Sequence, residues 1–429
     1  MEPKVKARLG RVAVNVCRLL LAVTFIFSGF VKAVDPMGSF FKISDYLAAF
    51  GMGGILPDFA LTIVAIALSS LEFILGVNIL LAIRRRITTI ITFIFMVVMT
   101  TLTLYLAVEN PVPDCGCFGD ALLLTNWQTF AKNVVLLAAA TIAMLHYDKM
   151  FRVMTWRVQW IVTTYSLCFI IAMSVYCLNN LPILDFRPYR VGVNIPEAMS
   201  VPDGAELPQY ETTFILEKDG ERREFTLDEY PDSTWHFVDS RTELVKEGYV
   251  PPITDFSVTD YETGEDLTGR ILSDTGYTFL LLIYDISKAD DTNIDRVNDV
   301  YDYCKDNGYP FYCLTASSGE YIEYWRDYMG ADYDFCMTDA TTLKTIIRSN
   351  PGLMLIKDGT IIAKWHHKHL PTEYDLGNPD LSLLPIGQLE MRDDAMTMLW
   401  VVMLYLIPLT LIIGIESIWL RANGIRQLD

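Results

Sequence analysis

Phe59-Ala60-Leu61-Thr62-Ile63-Val64-Ala65-Ile66-Ala67-Leu68-Ser69-Ser70-Leu71-Glu72-Phe73-Ile74-Leu75-Gly76-Val77-Asn78-Ile79-Leu80-Leu81-Ala82-Ile83 runs straight into Arg84-Arg85-Arg86. About 20 apolar residues are enough to cross a bilayer as a helix, and in hydrocarbon only a helix pairs every backbone amide within the segment. The run is therefore predicted to span a membrane. Glu72 sits near its middle, where an ionised carboxylate is costly, so it is expected to be protonated, paired or turned toward a polar cavity. Lys32 and Lys132 are its candidate partners from neighbouring helices.

Five further runs have the same character: Val12 to Val34, Ile87 to Val108, Trp127 to Tyr147, Val158 to Leu178 and Met396 to Leu420. The last contains Pro408, which predicts a kink. The first lacks a small-x-small cleavage pattern at Phe30-Val31-Lys32-Ala33-Val34-Asp35 and reads as a retained helix. Lysine and arginine gather in alternate connections: Lys4, Lys6, Arg8 and Arg11, then Arg84 to Arg86, then Lys149, Arg152 and Arg157, then Arg421 and Arg426. That asymmetry places both termini in the cytoplasm. Between Asp35 and Asp58, the spacing of Phe40, Phe41, Tyr46, Leu47 and Phe50 suits an amphipathic segment at the outer interface or an ordered loop.

Charge divides the 429 residues in two. From Asn179 to Ala395 there are 41 acidic and 18 basic residues, whereas the rest of the chain holds 11 and 16. Such totals exclude a disordered chain, a small disulfide scaffold and a nucleic-acid binder driven by bulk positive charge. The acidic part is expected outside the cell membrane, as a domain over 181–395. It opens with the proline-punctuated linker Leu181 to Pro188, followed by a hairpin of Phe214 to Lys218 and Glu224 to Leu227 about Asp219-Gly220. From Pro252 strands alternate with helices. Thr278 to Ile286 reads as a central strand buried on both faces. After it come helix Asp290 to Asn307, strand Phe311 to Thr315, helix Gly319 to Met329, strand Tyr333 to Met337, helix Ala340 to Arg348, and a final hairpin of Leu353 to Lys357 and Ile361 to Trp365. The pattern implies a mixed sheet flanked by helices.

Of the 8 cysteines, the informative pair is Cys115-Gly116-Cys117, in the outer loop Asn110-Pro111-Val112-Pro113-Asp114-Cys115-Gly116-Cys117-Phe118-Gly119-Asp120. Glycine's backbone freedom makes a small disulfide ring feasible, and a strained bond passes on its oxidising equivalents. Three readings stay open: a redox-active pair, a structural pair, or metal binding. The last has only half a tetrahedral shell and no histidine nearby. Asp114 and Asp120 oppose thiolate formation. Cys177, at the outer end of the fifth span, is a candidate resolving partner or a packing residue. Cys17 and Cys168 are expected to pack, as are Cys304 and Cys313, while Cys336 is the reactive candidate of the outer domain. His366, His367 and His369 suggest a metal cluster, but only two of them share a strand face, so a solvated strand end is the simpler account.

Two resemblances bear on these residues. The order of elements from Pro252 to Pro371, the opening Ile253-Thr254-Asp255-Phe256 and the Ser349-Asn350-Pro351-Gly352 segment resemble the thioredoxin-like fold of membrane-tethered periplasmic thiol proteins. The likeness makes Pro351 the counterpart of that family's cis-proline at the substrate-binding face. Where the family carries Cys-x-x-Cys after the first long strand, this chain reads Tyr284-Asp285-Ile286-Ser287-Lys288-Ala289-Asp290-Asp291. Residues 10 to 150 resemble the DoxX and MauE families of redox-associated membrane proteins through Gly29, Lys32, Asp35 and Pro36, through Glu72 in Ser70 to Gly76, and through the cysteine loop. A fusion of the two looks like an arrangement found in Bacteroidota.

The expected architecture is a multidomain chain, a polytopic α-helical membrane bundle plus a periplasmic α/β thioredoxin-like domain. Its parts are a four-helix membrane domain (1–150), a fifth span (151–180), a linker and β-hairpin region (181–251), the thioredoxin-like domain (252–390), and a sixth span with a cytoplasmic tail (391–429). The expected function is thiol–disulfide redox chemistry at the bacterial inner membrane. Cys115 and Cys117 would exchange electrons between an exported thiol protein and a quinone bound near Lys32 and Glu72, with Glu72 as a proton relay. No metal and no nucleic acid is expected, membrane lipid surrounds the helices, and an oligomer or larger membrane complex is compatible with the sequence. The alternative is a non-catalytic membrane scaffold whose thioredoxin-like domain docks envelope proteins.

Overall fold

The computed structural model describes residues 3–112, 115–218, 221–226, 231, 234–246, 248–389 and 393–423. Asp114, the Asp219-Gly220 turn, Leu227 and Arg426, which figure in the sequence expectations, lie outside them. Among the described residues, six helices are long and apolar enough to cross a membrane. They are α1 (Pro3–Val34), α3 (Asp58–Leu81), α4 (Arg85–Glu109), α5 (Asn126–Leu145), α6 (Trp156–Asn179) and α12 (Asp394–Ala422). The chain is a membrane protein, with spans where hydropathy puts them. Helix α12 continues through Pro408.

Two glycines set the close crossing of α1 and α3. A Cβ on Gly29 of α1 would stand 2.5 Å from the Phe73 backbone nitrogen, and one on Gly76 of α3 would stand 2.6 Å from that of Ile26. Both are distances real Cβ atoms do not adopt, so α1 and α3 meet backbone to backbone only because these side chains are missing. One turn beyond Gly29 on α1, Lys32 faces Glu72 of α3.

The segment after α1 is a helix, α2 (Pro36–Ala49), with Asp35 as N-cap accepting from Gly38 N and Pro36 in the first turn. A capping box between Thr125 and Gln128 starts α5. Asn126 Nδ2 donates to Asn110 Oδ1 at 2.8 Å and to the Val112 carbonyl at 2.9 Å, which ties down the approach to the cysteine loop.

The acidic region holds two sheets. The smaller is antiparallel, in the order β2 (Glu221–Thr226), β1 (Gln209–Lys218), β3 (His236–Lys246). The larger has six strands in the order β4 (Thr259–Asp260), β7 (Asp334–Met337), β6 (Phe311–Thr315), β5 (Tyr277–Ile283), β8 (Gly352–Lys357), β9 (Thr360–His366). Strands β5, β6 and β7 run parallel, and β8 and β9 form an antiparallel hairpin on the other side of β5. Every residue of β5 is buried. Phe279, Leu281 and Ile283 face one apolar cluster, with α9 (Ile294–Asn307) and α10 (Gly319–Met329). Leu280 and Leu282 face the other, with α7 (Ile195–Met199), α8 (Thr268–Leu272) and α11 (Ala340–Ile346). The alternation of a strand with two buried faces accounts for the continuous apolar run. A central strand with parallel neighbours on one side, and on the other a hairpin entered through the cis peptide Asn350-Pro351, is a thioredoxin-like arrangement.

Two expectations need correction. The stretch after α6 is no free linker. Gly192 N donates to Ile361 O, Ile361 N to Val193 O and Ile195 N to Gly359 O, so the chain lies along the edge strand β9. Beneath it Asp185 is gripped by Arg187 at 2.7 Å and Lys364 at 2.7 Å. Proline punctuation signals irregular backbone, which packs when a sheet edge offers hydrogen bonds. The histidines are likewise no solvated strand end: His366 and His367 are buried, His367 Nδ1 is 3.0 Å from Ser349 Oγ, and only His369 is exposed.

Candidate functional site

The loop between α4 and α5 turns on two glycines in the left-handed region, Gly116 at φ +62° and Gly119 at φ +52°. The stem of Lys42, from α2, covers Gly116, where a Cβ would approach within 3.1 Å. Tyr46 Oη, also from α2, donates to the Cys115 carbonyl. The turn brings the Sγ atoms of Cys115 and Cys117 to 2.8 Å. Cys115 is buried against Leu106 and Val112, while Cys117 is partly exposed.

Under the loop, Lys32 and Glu72 form the pair expected from sequence, 2.7 Å apart and 7% and 4% exposed. The three ammonium protons of Lys32 are directed at Glu72, at Ser28 Oγ (2.8 Å) and at the Cys117 carbonyl (2.8 Å). Ser28 Oγ, accepting from Lys32, lies 2.7 Å from both Glu72 Oε2 and the Cys117 carbonyl. A buried ion pair persists where further hydrogen bonds satisfy it. Here those bonds also fix the backbone of Cys117, so the polar centre of the bundle grips the cysteine loop. Ser28 carried no signal in the sequence: a serine in a span is ordinary, and only the α1–α3 crossing sets it beside the pair.

Glu72, Ser28, Cys117, Lys132 and Asn133 line a cavity of about 30 Å³. That is room for one or two waters. Lys132 is no partner of Glu72; its Nζ stands 4.1 Å from the centre of the Phe118 ring. The hydrogen bond from Cys115 draws the Cys117 thiol down, against the effect of burial and with help from Lys132 and Lys32. The same hydrogen bond, together with burial, pushes Cys115 up. Their loop thus pairs a ready thiolate with a protonated neighbour.

The remaining candidates lie elsewhere. Cys177 packs with Val34, Phe73, Met173 and Leu184, in a cluster apart from the one that holds Cys115 and Cys117. Cys336 is a correction: it is fully buried in the sheet and burial pushes its thiol up to about 12, the state of a core residue. Cys304 and Cys313 are core as well. Pro351 is buried. Among the described residues, no three His, Cys, Asp or Glu side chains gather as a metal-ion shell.

The end of the α/β domain that would hold Cys-x-x-Cys is turned toward the bundle. Lys288 Nζ pairs with Asp58 Oδ2 at 2.8 Å, Tyr284 meets Phe41 of α2 edge-on, and Asn350 Nδ2 donates to the Asp285 carbonyl at 2.7 Å. Arg348, three residues before Pro351, forks onto Asp35 (2.8 Å) and reaches Asp120 (3.0 Å), three residues after Cys117. Burial would raise the Asp35 carboxyl, but Arg348 holds it below the ordinary 3.8. Burial raises that of Asp120 despite the same arginine. Sequence gave Arg348 no role beyond ending a helix, because its partners lie some three hundred and two hundred positions away.

Residues 10–146 match the family described as Methylamine utilisation protein MauE, and residues 210–247, the small sheet, match a domain of unknown function (DUF8463). The membrane bundle therefore carries a MauE family domain in α1 to α5. A search of curated proteins finds no match. Among solved structures, the solution structure of a candidate protein disulfide isomerase from Bacteroides thetaiotaomicron is 16% identical, with 27% of this chain and 76% of that one covered at a TM-score of 0.22.

Proposed function

We propose that this MauE-domain membrane protein is a thiol–disulfide exchange protein whose working pair is Cys115 and Cys117, on the periplasmic face of the bacterial inner membrane with both termini cytoplasmic. The observation that carries this reading is the 2.8 Å separation of two sulfurs in a loop whose second cysteine is drawn below the ordinary thiol value by its neighbour and by Lys132 and Lys32. Exchange uses a thiolate as attacker, which a lowered thiol supplies. The arginine-rich connections on the opposite end of the bundle support the orientation.

In the reducing direction the Cys117 thiolate attacks one sulfur of a client disulfide, and the client's other sulfur leaves as a thiolate. Cys115 then gives up its proton and attacks Cys117 Sγ. The Cys115–Cys117 bond forms, the mixed disulfide breaks, and two electrons have passed to the client, whose thiolates take the Cys115 proton and one from solvent. The reverse sequence oxidises a client dithiol. In this scheme the second partner is another exported thiol or disulfide protein. Lys132 acts as counter-ion to the Cys117 thiolate. The Lys32–Glu72–Ser28 group positions the Cys117 backbone.

The α/β domain lacks the cysteines of exchange and presents its Asp285–Lys288 end to the bundle, which favours a holding role, with the client met on its outward surfaces. Cys115→Ser in full-length protein is expected to accumulate a mixed disulfide on Cys117, seen as a dithiothreitol-sensitive adduct by mass spectrometry, while Cys117→Ser yields none. Absence of any adduct, with the pair in one fixed oxidation state under oxidising and reducing growth, sinks the redox reading and leaves the scaffold.

A further inference from the structure

Helix α2 is gripped from two sides. Toward the membrane domain, Tyr46 packs against Leu106, Val112 and Cys115 and donates to the Cys115 carbonyl, and the stem of Lys42 lies over Gly116. Toward the α/β domain, Phe41 meets Tyr284 edge-on, with Lys344 Nζ 5.1 Å and the Arg348 guanidinium 5.5 Å from its ring centre. Arg348 Nε lies 3.0 Å from both carboxylate oxygens of Asp35, the residue that caps α2, and Nη2 lies 2.8 Å from Oδ2. Gly38 keeps this corner open, since a Cβ there would stand 3.0 Å from Nη2.

The same guanidinium reaches past the cysteines. Its Nη2 also donates to Asp120 Oδ2 at 3.0 Å, and its Nη1 donates to the Lys344 carbonyl of its own domain. The side chain is only 8% exposed, and a planar fork bound at every nitrogen has one geometry. One residue of the α/β domain therefore fixes both the helix that lies over Cys115 and Gly116 and the carboxylate three positions after Cys117. Slack at either attachment passes to the loop between them, whose turn at Gly116 brings the sulfurs to 2.8 Å.

We propose that Arg348 is a positioning residue for the Cys115–Cys117 pair, setting the sulfur–sulfur contact through α2 at one end of the loop and through Asp120 at the other. Its use in exchange rests on the reading above, whereas the coupling of Arg348 to the loop rests on geometry. The Cys115 hydrogen bond outweighs burial in setting the Cys117 thiol. Loss of the sulfur contact therefore raises that thiol, even where a slackened loop admits water. Docking of the α/β domain thus prepares the attacking thiolate.

The test follows alkylation of Cys117 against pH in reduced, full-length protein in mild detergent, with adducts located by mass spectrometry. Arg348→Ala is expected to raise the midpoint of the profile by about one pH unit. Arg348→Lys keeps the charge and loses the fork, and is expected to rise part of the way. Asp120→Asn is expected to give a smaller rise, and it decides the matter alone where Arg348→Ala fails to fold. Charge by itself predicts otherwise: losing the arginine would raise the thiol, losing the Asp120 carboxylate would lower it, and lysine for arginine would leave it in place. A rise in Arg348→Lys and Asp120→Asn supports the positioning role. A fall or an unmoved midpoint in Asp120→Asn, or an unmoved midpoint in Arg348→Lys, overturns it. Failure of the exchange reading shows elsewhere, as the absence of an adduct on Cys115→Ser, and leaves these profiles unaffected.

Discussion

At the residue scale the decisive object is one sulfur. Cys117 is drawn below the ordinary thiol value by the Cys115 hydrogen bond and by Lys132 and Lys32, which favours its thiolate. Lys132→Met removes a cation that has no carboxylate partner among the described residues. It is expected to slow alkylation of Cys117 at pH 7 by roughly tenfold and to move the alkylation profile to higher pH, with Arg at the same position restoring most of the rate. A purely structural Lys132 would leave the profile in place. The pair beneath follows a different rule. Removing one member, Lys32→Met or Glu72→Leu, leaves a buried charge unmatched and is expected to cost about 3–5 kcal/mol, whereas the double variant recovers most of it. Thermal unfolding in detergent separates the two cases; equal loss in all three variants would show that the hydrogen bonds to Cys117, rather than the unmatched charge, set the cost. Glu72 and Lys32 were legible as a pair because a carboxylate in the middle of a span must find a partner. Ser28 and the carbonyl of Cys117 were not, since neither is marked by residue type.

At the element scale the bundle depends on two absent side chains. Gly29 and Gly76 let α1 and α3 touch, and that contact sets Lys32 opposite Glu72. Gly29→Ala forces the helices apart, with an expected cost of about 1–3 kcal/mol and a longer Lys32–Glu72 separation. A drop in melting temperature together with faster alkylation of Cys117, whose backbone then loses its clamp, is the expected signature. Elements of regular period were readable from sequence: the six spans, and strands such as Phe311–Thr315, which matches its expected bounds. The strand His236–Lys246 left no signal of a buried face, since His236 to Ser240, Val245 and Lys246 are exposed. The stretch from Leu181 to Pro188 reads as a linker because irregular backbone carries no period, though Asp185 and Arg187 in it are held by ion pairs and the chain just beyond it finds hydrogen-bond partners on β9.

At the scale of the whole molecule, one arginine ties the two domains together. Arg348 joins the cis-proline end of the sheet to Asp35 and Asp120 of the membrane domain. Asp35 is held below its ordinary 3.8. A carboxylate with a depressed folded-state pKa contributes stability that is full above the unfolded value and lost as pH falls through the folded one. Asp120 is raised and works the other way, favouring its neutral form as acid is added. Docking through Asp35 should therefore hold at neutral pH and fail only below the ordinary carboxylate range. Arg348→Ala is expected to free the α/β domain at every pH, raising hydrogen exchange across α2 and the Asp285–Lys288 segment while the sheet core stays protected. Unchanged exchange in those two segments would mean that Lys288–Asp58 and Phe41–Tyr284 carry the contact without it.

The sequence by itself determined what solvent and period dictate. Apolar length made six spans, two-residue alternation with a doubly buried strand made the sheet, and two cysteines around a glycine made a loop able to turn. The tertiary structure decided which residues meet across the chain: Lys32 with Glu72 under Cys117, Arg348 with Asp35 and Asp120, and Lys364 with Asp185. The physical reason is range. Hydropathy and backbone preference act over a few residues and leave a local imprint, whereas an ion pair between distant positions depends on how finished elements pack, which no short window of sequence records.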